Sequence, residues 1–340
     1  MHPAALGPDR FDVLGLGNAI VDVLAAADEA LIRDLGLVKG AMTLISEEQV
    51  EFLYRRMGPA REVSGGSCAN TMAAIASLGG SAAYVGRVRD DQLGEVFAHD
   101  IRAAGVAFRN RPSPEGPATA RSLIFVTDDA QRTMQTYLGA CVELGPEDVD
   151  EAMVAAAGIT YLEGYLWDRA GAKAACLKAA RICRAAGGRI ALTLSDAFCV
   201  DRWRGEFREL VENEVDILFA NESEITSLYE VEDFDAALQE VRRRVDFAAL
   251  TRGAKGSVVI RGDEIHVVDA VKPERLVDTT GAGDLYAAGF LRGLTAGLDL
   301  RRCGKLASLA AAANLGQYGP RPERPLLPLF EQIAAAPTGS

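Results

Sequence analysis

The chain has 340 residues, 49% hydrophobic and 25% charged, with 36 Lys plus Arg against 48 Asp plus Glu and a net charge of −12. This balance supports a substantial soluble core and excludes the basic footprint of a nucleic-acid binder. Apolar runs stay short of the ~20 residues that span a bilayer; the opening MHPAALGPDR lacks the charged-then-apolar order of a leader, so a cytoplasmic protein without membrane partners is expected.

FDVLGLG (11–17) predicts a buried strand ending in a glycine turn, followed by an untidy alternating stretch, 21–45. A Ser followed by two Glu predicts a helix over 46–58, and a glycine pair opens an alanine-dense helix within 64–80. A strand at 82–88 and a helix at 91–106 follow. Residues 110–140 break this rhythm: a Pro/Gly-rich loop leads into two strands, 121–127 and 132–138, joined by DDA as a hairpin. Strands near 158–163, 189–194, 215–219 and 246–251 then alternate with helices; a hairpin at 256–269, helices at 283–296 and 299–315, and a proline-rich tail (319–328) close the chain. The alternation predicts one α/β domain with a mostly parallel central sheet covered on both faces. The β-rich pieces at about 18–45 and 115–140 are expected to form a small β lid.

Six cysteines without a CxxC pair and three histidines (His2, His99, His266) give no disulfide framework, zinc site or His-based triad. Cys199 and His266 read as ordinary residues rather than a nucleophile pair.

DTTGAGDLYAAGF (278–290) has more content. A helix opening in Gly281, Ala282 and Gly283 offers unpaired N–H groups and a positive dipole end to an anion. Asp284 stands in the same first turn. One reading is that Asp284 complements the dipole after a tight turn. The other is phosphoryl transfer: the amides hold a migrating phosphoryl group, and Asp284 orients the accepting hydroxyl and takes its proton. The dipole is expected to depress the Asp284 pKa. GxxxxGK[ST] does not occur, and GLGNAI (15–20) departs from a dinucleotide fingerprint at Ile20.

The same 278–290 segment resembles the C-terminal signature of the ribokinase-type (PfkB) carbohydrate kinases. GGSCANTMAAIASLGGSAAYVGRVRDDQLGEVF (65–97) resembles their N-terminal signature, and GLGNAIVD, NESE (221–224) and TRGAKG (251–256) match further motifs in order. The resemblance implies a ribokinase-like three-layer α/β sandwich with a small β lid, ATP, Mg²⁺, and transfer to a hydroxyl of a sugar or nucleoside. It implies that Asp284 is the catalytic base and the Gly281–Gly283 amides the anion hole, and that Asn18, Asp22, Gly65, Gly66 and Asn70 bind acceptor hydroxyls. Asn221 and Glu224 would organise Mg²⁺ through water, although Asn-x-x-Glu also reads as a helix cap. Thr251, Gly253 and Gly256 would form the nucleotide loop, or read alone as a hairpin turn. Asp278 and Thr280 fall where some relatives hold a monovalent cation such as K⁺.

Within the family, segments 131–140, 161–168 and 194–204 are similar to the adenosine kinase branch. Carried over, Tyr165 would stack on a base, Leu138 and Phe198 would line the slot, and Arg132 would reach from the lid toward the phosphates; the three apolar residues are equally compatible with core positions. Thr280 and Asp196 depart from that branch. The acceptor expected is adenosine, phosphorylated to AMP in purine salvage by a monomer or homodimer. The alternatives are inosine or guanosine, a sugar as in ribokinase or 2-keto-3-deoxygluconate kinase, and a non-catalytic nucleoside sensor.

Overall fold

The computed structural model of the protein describes residues 10–129 and 131–336. Most of the opening segment read for a leader, and Ala130 of the DDA turn, lie outside the described residues.

Parallel strands form the centre. Val106–Phe108, Ala82–Val85, Phe11–Leu16, Ala157–Glu163, Arg189–Thr193, Ile217–Asn221 and Phe247–Thr251 lie side by side in that spatial order, and the antiparallel strands Ser257–Arg261 and Glu264–Val268 complete a nine-stranded sheet. Alternation along each strand divides the core. Val13, Ile159, Tyr161, Ala191, Ile217 and Phe219 pack in one buried cluster with helices Ser67–Ser77, Ala282–Thr295 and Leu300–Leu315. Leu14, Leu16, Leu162, Leu192 and Leu218 face the opposite cluster, with helices Ala170–Ala185, Ala197–Asn213 and Glu222–Tyr229. The period of two thus sends successive side chains into two separate cores, giving helix–sheet–helix layers. The fold is the α/β ribokinase-like sandwich with a mostly parallel sheet.

A second sheet has five strands in the order Met42–Leu44, Arg132–Tyr137, Ala120–Val126, Ile20–Ala26 and Ala60–Gly65. Four of these fall in the two stretches expected to be β-rich. The fifth, Ala60–Gly65, pairs antiparallel with Ile20–Ala26 and was not anticipated, because its ARE start reads as polar and its glycines as the beginning of a helix. The untidy 21–45 stretch resolves into a strand, the helix Glu29–Asp34 capped by Asp28, and the edge strand Met42–Leu44. The helix expected at 46–58 is Glu47–Tyr54, opened by a Ser46–Gln49 capping box. The tail expected over 319–328 ends in the helix Leu327–Ala335, which takes in its last two residues.

Val21 and Val23 enter the core, so Asp22 points to the other face of the second sheet. Register places Asp22 beside Ser122, and Ser122 beside Thr136; Arg132, four residues before Thr136 on its strand, shares that face. This polar face is nevertheless buried. It lies over the carboxyl ends of the parallel strands, the usual ligand crevice of open α/β sheets.

Gly66 joins the two sheets' business ends. It precedes the helix Ser67–Ser77 with φ +93°, and a Cβ there would lie 2.2 Å from the Asn18 carbonyl oxygen. Gly66→Ala is expected to cost about 2–4 kcal/mol of stability from strain and displacement of the Asn18 turn, read as a lower urea midpoint.

Candidate active site

Asp284 occupies the first turn of Ala282–Thr295, whose N-cap Gly281 is left-handed at φ +77°. The helix is buried almost all round from Leu285 to Leu291, more than a single stripe of Ala287, Ala288, Leu291 and Leu294 suggests, so its N-terminus is rigidly placed. Two donors from the Ser67–Ser77 helix hold the carboxylate: Ser67 Oγ at 2.6 Å and Asn70 Nδ2 at 3.0 Å. Asn70 Oδ1 is buried without a hydrogen-bond partner, an acceptor left beside the Asp284 carboxylate. The expectation of a depressed Asp284 pKa is overturned. Burial raises it, against the opposing pull of Ser67, Asn70 and Arg321, because desolvation inside the cleft outweighs the dipole and the hydrogen bonds.

Asp22 is buried on the facing sheet, and burial pushes its carboxyl up to about 7 despite the lowering pull of Arg132 and Arg321. Gly65 makes room for it: a Cβ there would lie 2.5 Å from Asp22 Cγ. Asn18 donates from Nδ2 to Glu163 Oε1 at 2.7 Å and from its backbone at 3.3 Å, while Glu163 Oε2 accepts the Cys68 N–H at 3.0 Å. Glu163, fully buried at the end of its strand, therefore fixes both Asn18 and the start of the helix that grips Asp284. Burial pushes Glu163 up to about 7. It was missed in the sequence, although a lone carboxylate ending the apolar run GITYLE was a usable signal. Gly15 and Gly17 serve the same approach: a Cβ on either would lie 2.4 Å from Cys68 side-chain atoms, so they are packing glycines and not a dinucleotide turn.

On the nucleotide side, Asn221 and Thr251 are register partners at adjacent strand ends. Asn221 and Glu224 form a reciprocal capping box: the Asn221 N–H donates to Glu224 Oε2 and the Glu224 N–H to Asn221 Oδ1, both at 2.9 Å. Glu224 is buried and pushed up to about 7, by desolvation and by Asp196 nearby. The loop after Thr251 folds back through Arg252 N–H to Gly256 O at 2.8 Å, with Gly253 and Gly256 at positive φ. Ser257, directly after it, accepts or donates to the Tyr286 hydroxyl at 2.7 Å, which ties this loop to the Asp284 helix.

Arg132 is buried and ion-paired to Asp278, bridging the second sheet to the loop before the glycine turn. Asp278 also accepts the N–H of Thr280 at 2.9 Å and of Gly319 at 3.0 Å. Asp278 is thus engaged by one guanidinium and two backbone amides. Thr280 presents its carbonyl to Asn314 Nδ2 at 2.6 Å.

The residues carried over for a base are less enclosed. Leu138 and Tyr165 are half-buried and Phe198 is 76% exposed. Tyr165 donates its N–H to Ser195 Oγ at 3.2 Å and its hydroxyl to Ser195 O at 3.5 Å. Cys199 is buried in the helix Ala197–Asn213, donating to Gly164 O, whereas His266 pairs with Glu264 on the far hairpin, so no nucleophile pair exists. All six cysteines are buried free thiols. No helix among the described residues is long and apolar enough to cross a membrane.

A pfkB family carbohydrate kinase model matches residues 53–326. The chain belongs to that family. Its backbone superposes on an adenosine kinase from Sinorhizobium meliloti with a TM-score of 0.88 and 56% identity, covering 95% of this chain and 99% of that one. A probable sugar kinase protein from Rhizobium etli gives 0.89 and 52%, covering 96% and 99%. An ATP-dependent ribose-1-phosphate kinase from Halopiger xanaduensis is 32% identical over 77% of this chain and 83% of its own. This pfkB-family protein is a phosphotransferase acting on a hydroxyl group.

The raised carboxyls carry a stability prediction. Glu163, Asp22 and Glu224 each have a folded pKa near 7, above the unfolded value. The folded state thus binds the extra protons: each contribution is fully present below about pH 4 and is lost as pH rises through about 7. The ligand-free protein should melt at least ~2 °C lower at pH 8 than at pH 6, and Glu163→Gln should flatten part of that slope in calorimetry.

Proposed function

We propose that the protein transfers the γ-phosphoryl group of ATP to the 5′-hydroxyl of a nucleoside, adenosine being the acceptor and AMP the product. The observation that carries the chemistry is the grip of Ser67 and Asn70 on Asp284 beside the amides of the glycine turn. Asp22, Asn18 and Asn70 line the acceptor side. Asp22 accepts from the acceptor's other hydroxyls, and Gly65 and Gly66 let a flat ring lie against the backbone. Asp284, its basicity raised by burial, orients the reacting hydroxyl and takes its proton. The acceptor oxygen forms the new bond to phosphorus as the bond to the β–γ bridging oxygen breaks, and the Gly281 and Gly283 amides stabilise charge on the equatorial oxygens, the Ala282 N–H being engaged by the Thr279 carbonyl at 3.3 Å. Thr251, Gly253 and Gly256 hold the nucleotide.

Glu224 is buried, and desolvation, with Asp196 adding to it, raises its carboxyl; a cation bound there would relieve that cost. Asn221 and Glu224 would hold Mg²⁺ through water, each carboxylate oxygen keeping lone pairs beyond its cap bond. When bound, the ion neutralises charge on the transferring phosphates. The second sheet acts as the lid, and Arg132 swings from Asp278 toward the phosphates as it closes over the acceptor, excluding water.

Adenosine is favoured by the 56% identity to the Sinorhizobium meliloti protein named an adenosine kinase, with Tyr165, Leu138 and Phe198 offered to the base. A sugar acceptor is the second reading, favoured by the relatives named as sugar and ribose-1-phosphate kinases. ATP turnover measured with adenosine, inosine, guanosine, ribose, ribose 1-phosphate and 2-keto-3-deoxygluconate decides between them. Adenosine is expected to give the highest kcat/KM, and turnover confined to sugars removes the nucleoside claim. Asp284→Asn should lower kcat at least ~100-fold with acceptor binding largely retained.

A further inference from the structure

The proline-rich segment after the last long helix touches three parts of the site within three residues. Gly319 donates its N–H to Asp278 at 3.0 Å. Pro320 packs under the glycine turn, so closely that a Cβ on Gly281 would lie 2.8 Å from Pro320 Cβ. Arg321 grips the end of the strand Ala60–Gly65, donating from Nε and Nη2 to Ser64 O at 3.0 and 2.7 Å and from Nη2 to Ser64 Oγ at 2.9 Å. Ser64 is braced in turn by Asp100, which accepts its N–H at 2.8 Å and its hydroxyl at 2.6 Å.

The next residue, Gly65, is the one whose Cα abuts the Asp22 carboxyl. The guanidinium is therefore held on the residue next to the one that abuts Asp22, close enough for the two charges to interact, and its remaining Nη1 is buried without a hydrogen-bond partner. We propose that Arg321 is a positioning residue of the phosphotransfer reaction: it locks the glycine turn to the acceptor strand and places a fixed positive charge beside Asp22 and Asp284. The proposal rests on Asp284 as base and Asp22 as acceptor ligand.

The charges around this cluster are few. Asp22 faces Arg132, Arg321 and Asp284; Asp284 faces Arg321, Asp22 and the buried Glu163 together with the neutral donors Ser67 and Asn70. Arg321 itself faces Asp100, Asp22, Tyr84 and Asp284, and burial pushes it down to about 10, so it stays charged at neutral pH. Removing its charge leaves Asp22 and Asp284, with Glu163 behind them, and Arg132 as the one remaining named cation, so Asp22 and Asp284 become harder to ionise. A residue that merely held the tail in place would change activity without moving this titration.

The experiment is the pH dependence of kcat/KM between pH 5.5 and 9.5 for the full chain, with adenosine or, if adenosine is not turned over, ribose. Arg321→Gln should move the acid limb up by about 0.5–1 pH unit and lower kcat/KM at pH 7 about tenfold, with part of the loss recovered at pH 9. Arg321→Lys keeps the charge but not the two-pronged hold on Ser64; it should keep the wild-type acid limb and lose several-fold in kcat/KM. An Arg321→Gln profile that superimposes on wild type, or an Arg321→Lys limb shifted as far as that of Gln, overturns the proposal. If Arg321→Gln does not fold, Arg321→Lys decides alone, and wild-type kcat/KM in it overturns the proposal. Asp284→Asn run in parallel separates the two layers. If it is inactive while Arg321 variants are normal, only this inference fails; if it turns over normally, the base assignment fails first.

Discussion

Asp284 is held by Ser67 and Asn70, which stand 217 and 214 positions earlier in the chain, and the working of the site follows from that grip. A carboxylate removed from water is costly unless its oxygens are hydrogen-bonded. Here each oxygen has one protein donor, and both donors come from the first turn of a single buried helix. That helix is itself placed by Glu163, through the Cys68 N–H. Ser67, Asn70 and Asn18 thus hang on two carboxylates, Asp284 and Glu163. Asp22, Glu163 and Glu224 all carry raised pKa values for the same cause, burial.

The two sheets divide the labour. The nine-stranded sheet supplies ends at which Asn221 and Thr251 line up by parallel register, and its last helix pair delivers the glycine turn. The five-stranded sheet supplies Asp22 from a face that period-two alternation makes polar, because the opposite face must satisfy the core. Arg132 and Asp278 join the sheets through a buried ion pair. Such a pair contributes little net stability, since desolvation offsets attraction, but losing one partner strands the other charge. Its effect is orientation: in this state it ties the second sheet to the loop before the glycine turn.

The scaffold and the acceptor are separable. Relatives at 52% and 56% identity carry the names probable sugar kinase and adenosine kinase on nearly the same backbone. Phosphoryl transfer needs only the turn, the base and the nucleotide loop, so those parts tolerate exchange of the acceptor. In the proposed reading, discrimination falls to Leu138, Tyr165 and Phe198, which are half-buried or exposed, and to Asp196 nearby. These are the side chains least constrained by the core.

By itself the sequence determined the alternation of strands and helices, the glycine turn with its acid, the capping pair Asn221–Glu224 and the glycine pair before the Ser67 helix. Each is a local pattern: periodicity, a cap or a φ requirement is written within a few residues. Tertiary structure alone decided the rest. Ala60–Gly65 became a strand because Ile20–Ala26 offered it a free edge, and Glu163 became a support because Asn18 and Cys68 were folded onto it. Arg132 was turned to Asp278, and Arg321, in a tail that reads as a proline-rich terminus, was brought to Ser64. The Asp284 pKa went up where the helix dipole alone argued for down, because desolvation depends on what the whole chain packs around a group, and no short window of residues contains that information.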